Sequence, residues 1–129
     1  MSPPSVPIFS SSDGVHVEAA CAAYGLTGDE FRELHRQAVG AQAAAYCPYS
    51  NFRVGAALLS RFGRRFVTGA NIENAAYPVG TCAERVALAR AVMDGHRDFV
   101  ALAVATDTVA PCSPCGMCRQ LCVRPLCCP

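Results

Sequence analysis

Lysine is absent: all eleven basic residues are arginine, spread from Arg32 to Arg124 without a dense cluster, and they leave a formal net charge of +1. A surface that tracks phosphates needs a concentrated basic face, so this distribution speaks against a nucleic-acid partner and for a small neutral substrate. Also missing is any apolar run approaching the roughly 18 to 20 residues that span a bilayer. The opening Met1–Gly14 segment has neither the basic nor the apolar region of a signal peptide. The expectation is a cytoplasmic chain with no membrane partner. Charged residues make up 16% and hydrophobic ones 52%, which excludes wholesale disorder. A length of 129 residues suits one domain around a single core.

Cysteine, in contrast, is plentiful, with nine residues. In a reducing compartment such density points to metal ligation or catalysis rather than to disulfides, and only spacing can separate these.

Along the chain, residues 1–26 read as a flexible lead with a short Ala-rich helix over Val15–Tyr24, stopped by Gly25. The Thr27-Gly28-Asp29-Glu30 pattern is a capping box, and the apolar spacing that follows predicts a helix ending before Pro48. Phe52–Leu59 and Phe66–Ile72 read as two strands joined by a turn around Gly63. Thr81–Met93 reads as a helix opened by a second capping box, Thr81 with Glu84, and ended by Gly95. Phe99–Ala105 is a continuous apolar run that suits a strand covered on both faces, and another helix begins near Pro114. This order predicts an α/β layered architecture.

Cys115 and Cys118 are spaced to lie on one side of a helical first turn, and Cys82 also falls at a predicted helix start. Helix N-termini favour thiolates, so two converging ends can present three sulfurs to a zinc ion and leave the fourth tetrahedral position open. Three protein ligands describe a catalytic site and four a structural one. Cys112 is the rival fourth ligand, since Pro111-Cys112 repeats the Pro114-Cys115 step. Glu84, two residues beyond Cys82, is near enough to take and return a proton of a water activated there. Its bland alternative is the capping box with Thr81, and the bland alternative for Cys115 and Cys118 is a redox pair.

Four blocks, taken in order, resemble the small homotetrameric cytidine deaminases. They are Cys47-Pro48-Tyr49-Ser50-Asn51-Phe52-Arg53-Val54-Gly55-Ala56-Ala57-Leu58, Gly69-Ala70-Asn71-Ile72-Glu73-Asn74-Ala75, Thr81-Cys82-Ala83-Glu84-Arg85 and Ser113-Pro114-Cys115-Gly116-Met117-Cys118-Arg119-Gln120. The resemblance implies a three-layer fold with a mixed sheet and helices on both faces, over residues 27–129. It also implies a zinc ion on Cys82, Cys115 and Cys118, with Glu84 as the acid/base in hydrolysis of cytidine or deoxycytidine to the uridine counterpart, a step of pyrimidine salvage. By the same resemblance Asn71 and Glu73 form a ribose clamp, Phe52 and Ala83 contact the substrate, and the protein is a homotetramer. Arg85 has its own rationale: zinc with three thiolates carries a net negative charge, which a guanidinium donating to sulfur offsets. The Cys82-Ala83-Glu84 order differs from the His-x-Glu of deaminases that edit nucleic acid, which favours a free nucleoside.

After Cys118 the resemblance stops. The Arg-Gln-Leu-Cys-Val-Arg-Pro-Leu-Cys-Cys-Pro ending has no strand pattern, so the C-terminal strands of the family are expected to be missing and the Phe99–Ala105 strand to lack neighbours. Two other readings follow: a catalytically incompetent zinc-binding or subunit-interaction protein, and a related deaminase of aminopyrimidine nucleosides such as blasticidin S.

Overall fold

The computed structural model describes residues 12–123. The Pro- and Ser-rich lead before Ser12 and the Arg124–Pro129 ending therefore lie outside the described residues. Helix α1, Gly14–Tyr24, starts on the Asp13 side chain, which accepts from the Val15 amide at 2.9 Å, and ends where Gly25 turns to φ 68°. That left-handed φ comes at no steric cost for glycine. Helix α2, Gly28–Ala41, opens on the expected box: the Glu30 amide donates to Thr27 Oγ1 at 3.1 Å and the Thr27 amide to Glu30 Oε2 at 2.9 Å. A short 3₁₀ turn, Gln42–Ala44, follows.

Strands β1, Val54–Ser60, and β2, Phe66–Ala70, form the hairpin, and β3, Phe99–Thr106, pairs with the other edge of β1. The order is β2-β1-β3 and both pairings are antiparallel, with Gly55 opposite Ala70 on one side and Ala105 on the other. Outside the strands, Tyr46 and Ile72 form an isolated parallel bridge. Among the described residues no strand follows β3. At the hairpin turn Arg64 holds a positive φ of 47°, and its guanidinium donates to Glu30 and to the Gly25 carbonyl, which ties the turn to α2.

Two-residue alternation gives β1 two buried faces. Ala57 and Leu59 pack with Leu34 and Ala38 of α2, while Ala56, Leu58 and Val67 pack with residues of helix α3, Ala83–Met93. The three layers are thus helix, sheet, helix, with α3 and the short helix α4, Gly116–Val123, completing the elements that carry the site. No helix of the described residues is long and apolar enough to cross a membrane.

Most of these contacts are made by alanines, so the layers meet backbone against backbone. A Cβ built on Gly55 would lie 2.0 Å from the Ala38 carbonyl oxygen of α2, and one on Gly69 would lie 2.4 Å from the Ala87 nitrogen and 2.6 Å from the Ala83 oxygen of α3. Neither helix can relax by turning a side chain away. Gly69→Ala is therefore expected to destabilise the chain by about 3 kcal/mol or more in urea unfolding, as severe overpacking does. Gly40→Ala, in α2 with nothing within 4 Å of its Cβ, should instead stabilise by about 0.5 to 1 kcal/mol.

Candidate active site

The segment leading into α3 is held by strand-like bonds rather than by a cap. The Ile72 amide donates to the Thr81 carbonyl at 2.9 Å and the Thr81 amide to the Ile72 carbonyl at 2.8 Å. With Thr81 engaged in this bridge, Cys82 becomes the residue preceding the helix, and no side chain caps it. The expected Thr81–Glu84 capping box does not form, because the helix starts one residue later and Glu84 falls at its second position instead of its third. Glu84 is 95% buried all the same, so its carboxylate is directed inward without the helix end as its partner.

Helix α4 begins just after Cys115 and delivers the other two sulfurs. Cys82 Sγ lies 3.7 Å from Cys115 Sγ, and Cys115 Sγ lies 3.5 Å from Cys118 Sγ, with all three sulfurs within 4.8 Å of one another. These are free cysteines. Two thiolates on a tetrahedral zinc at about 2.3 Å from each sulfur stand about 3.8 Å apart, so the spacing fits that ion and is too long for a disulfide. Cys112 is not in the group. Its sulfur pairs with Thr108 Oγ1 at 3.3 Å and with Thr106 Oγ1 at 3.7 Å, beyond the end of β3. Among the described residues the cluster therefore has three donors, the number that leaves a tetrahedral position for reaction.

The surroundings fit a charged metal–thiolate centre. Arg85 donates from Nη2 to the Gly80 carbonyl at 3.2 Å and to Cys82 Sγ at 3.7 Å. Its Nε is buried without a partner, an orphaned donor of a kind that folded proteins seldom keep. Anionic sulfurs beside it supply the charge that such a cation needs. The hydrogen bond to Cys82 holds the guanidinium above its ordinary value. Burial, chiefly, pushes the Cys118 thiol up, with Cys115 and the charge of Glu84 adding to the effect. The Cys118 amide, donating to Cys115, pulls that thiol down. The three sulfurs sit at two helix starts, a donor set that fits zinc.

A second group of side chains surrounds residues 49–54. Asn71 and Glu73, flanking Ile72, both turn toward this segment, as alternation predicts. Asn71 Nδ2 donates to the Phe52 carbonyl at 2.9 Å, and Asn71 Oδ1 accepts from the Val54 amide at 2.9 Å. Glu73 accepts from the amides of Tyr49 and Ser50 at 3.0 and 3.2 Å and from the Ser50 hydroxyl. Those bonds, the hydroxyl's foremost, hold the Glu73 carboxyl below its usual range. Phe52 is half-buried just before β1, after Asn51 at φ 54°. Ala83 stands at the first helical position and is fully buried.

Two participants escaped the sequence reading. Asp107 grips Arg53 by amide and guanidinium together, and Gln42 donates to the Arg53 carbonyl at 3.2 Å. Neither belongs to a recognisable spacing, since each acts across the fold from a chain terminus of a regular element.

Residues 29–125 match the family model described as the cytidine and deoxycytidylate deaminase zinc-binding region. A cytidine deaminase of Halalkalibacterium halodurans is 53% identical over 88 residues, covering 68% of this chain and 66% of that protein. A probable cytidine deaminase of Dictyostelium discoideum is 43% identical over 96 residues, covering 74% of this chain and 65% of that one. The chain thus spans about two thirds of the length of these relatives. The crystal structure of cytidine deaminase from Burkholderia pseudomallei superposes with a TM-score of 0.70 at 44% identity, over 73% of this chain and 75% of that one. A fold, a sulfur triangle and a matching sequence coincide over the same residues, and the chain belongs to the cytidine and deoxycytidylate deaminase family.

Proposed function

We propose that the chain is a zinc-dependent hydrolase that converts cytidine or deoxycytidine, with water, to uridine or deoxyuridine and ammonia, in pyrimidine salvage in the cytoplasm. The observation that carries this is the buried Glu84, released from any capping role, two residues from a triangle of sulfurs 3.5 and 3.7 Å apart. Zinc held by Cys82, Cys115 and Cys118 supplies the Lewis acidity that makes a water nucleophilic near neutral pH. Glu84 accepts the proton that the attacking water loses and returns protons to the pyrimidine ring and to the departing amine as water adds at C4. Arg85 steadies the Cys82 thiolate and offsets the excess negative charge of three sulfurs. Phe52 lies against the base, Ala83 contacts the substrate, and Asn71 with Glu73 hydrogen-bonds the sugar hydroxyls. The deaminase domain is residues 27–129, and its copies assemble as a homotetramer.

Glu84→Gln should leave zinc bound and lower kcat about 10²- to 10⁴-fold, read from the absorbance change of cytidine deamination. Equal turnover in that variant sinks the acid/base assignment.

Metal analysis checks the ligand set separately. Cys115→Ser and Cys118→Ser should empty the site, whereas Cys112→Ser should keep one zinc per chain, and loss in Cys112→Ser would make it a fourth ligand.

Metal binding must also depend on pH in a fixed direction. Zinc takes thiolates, so each bound ion displaces protons, and the raised Cys118 thiol holds its proton most firmly. Affinity therefore falls with falling pH, and a chelator should strip the metal faster at about pH 6 than at about pH 8.

A further inference from the structure

From Phe52 to the Val54 amide, the backbone polar groups entering β1 are held by side chains from four separate places. The Phe52 amide donates to Ser50 Oγ at 3.0 Å, and the Phe52 carbonyl accepts from Asn71 Nδ2 at 2.9 Å. The Arg53 amide donates to Asp107 Oδ2 at 2.8 Å, and the Arg53 carbonyl accepts from Gln42 Nε2 at 3.2 Å. The Val54 amide donates to Asn71 Oδ1 at 2.9 Å, and the Val54 carbonyl accepts from the Asn71 amide at 3.1 Å. Val54 stands opposite Thr106 at the end of the β1–β3 ladder, and pairing with β2 begins at Gly55. Over this stretch side chains replace the ladder, so its position depends on a few removable groups.

Asp107 holds more than the Arg53 amide. Besides the amide it takes the Arg53 guanidinium at both Nε, 3.2 Å, and Nη2, 2.9 Å. It directly follows Thr106, which stands opposite Val54 in the β1–β3 ladder, so it reaches Arg53 from the adjoining strand end. Gln42 is brought there because Gly55 lets the end of α2 sit against β1: a Cβ at Gly55 would lie 2.8 Å from the Gln42 nitrogen. An ion pair with Arg53 about half exposed is worth little alone. Its effect is geometric, since the same carboxylate fixes an amide and a side chain of one residue.

We infer that Asp107 is a positioning residue for substrate binding, acting through Arg53, with Gln42 on the opposite side, to set where Phe52 stands over the nucleoside site. The inference rests on the proposed function above. Asn71 and Ser50 belong to the same frame, but they also face or support the sugar end, whereas Asp107, Gln42 and Arg53 touch neither metal ligand nor Glu84 in any bond described here. Loosening the brace shifts Phe52 and leaves the zinc centre intact.

The test compares wild type with Asp107→Ala, Asp107→Asn and Arg53→Ala in full-length protein. Expected for Asp107→Ala are a KM for cytidine raised about tenfold, as small misplacements of a positioning group produce, kcat within about twofold, unchanged zinc content, and faster amide exchange across residues 49–54. Arg53→Ala keeps the amide bond to Asp107 and should raise KM less. Asp107→Asn keeps an acceptor oxygen without the charge and should fall between them, and it decides the matter if Asp107→Ala does not fold. Unchanged KM with unchanged exchange overturns the inference. So does a fall in kcat with lost zinc at constant KM, which would make Asp107 a support of the metal loop. A wild-type chain that holds zinc but does not deaminate cytidine defeats the proposed function instead, and amide exchange then decides the brace by itself.

Discussion

The contact between β2 and α3 at Gly69 is the constraint from which the site follows. Here a helix lies on a sheet with no side chain between them, the Ala83 carbonyl and Ala87 amide resting where any Cβ would stand. Ala83, Ala87 and Ala91 make up the contacting stripe, and all three are fully buried. Close approach of this kind fixes the helix along its axis as well as in its distance from the sheet, because backbone atoms have no rotamers through which to slide. The first turn of α3 thereby acquires a set height over β2, and Cys82 and Glu84 are carried with it. A larger residue in the stripe would move Cys82 and Glu84 together, which fits the alanines that α3 carries on this face.

Charge imposes the second requirement. Cys118 and Glu84 are buried, while Cys82 is half-buried and Cys115 exposed, and three thiolates beside one carboxylate would need compensation, since desolvated like charges raise each other's pKa. The thiols already differ, Cys118 pushed up by burial and Cys115 pulled down by the Cys118 amide. A divalent cation on the three sulfurs would hold them all as thiolates. In the proposed function zinc with three thiolates would still be net negative, and Arg85, donating to Cys82, would offset part of that excess.

Much of this was legible in the sequence because it is local. The Thr27–Glu30 capping box, the glycine at 25, the strand alternation in β1 and the spacing of Cys115 with Cys118 are all decided within a few residues. The Thr81–Glu84 box was misread for an instructive reason: Thr81 has the right chemistry and spacing, but a non-local bridge to Ile72 engages it and moves the helix start to Cys82. Spacing likewise left Cys112 open as a fourth ligand. What separates it from the cluster is its pairing with Thr106 and Thr108 at the end of β3. Asp107 and Gln42 were invisible because their partner, Arg53, is brought to them only by the packing of β1 against α2 and β3.

Asn71 and Glu73 show how a ligand-facing pair can also be structural. Each Asn71 polar atom makes one bond inside the protein, to Phe52 and to Val54. An amide oxygen has two lone pairs and an amide nitrogen two hydrogens, so one acceptor and one donor direction remain. Glu73 accepts three bonds from the Tyr49–Ser50 turn, of about four that a carboxylate can take. A sugar diol that gives and receives hydrogen bonds matches this residue of free valences, and it would be bound by groups whose other valences already hold them still. Preorganisation of that kind lowers the entropy that binding must overcome. In the proposed function it would also tie sugar recognition to base recognition, because the bonds that immobilise Asn71 are the same ones that set the backbone on either side of Arg53.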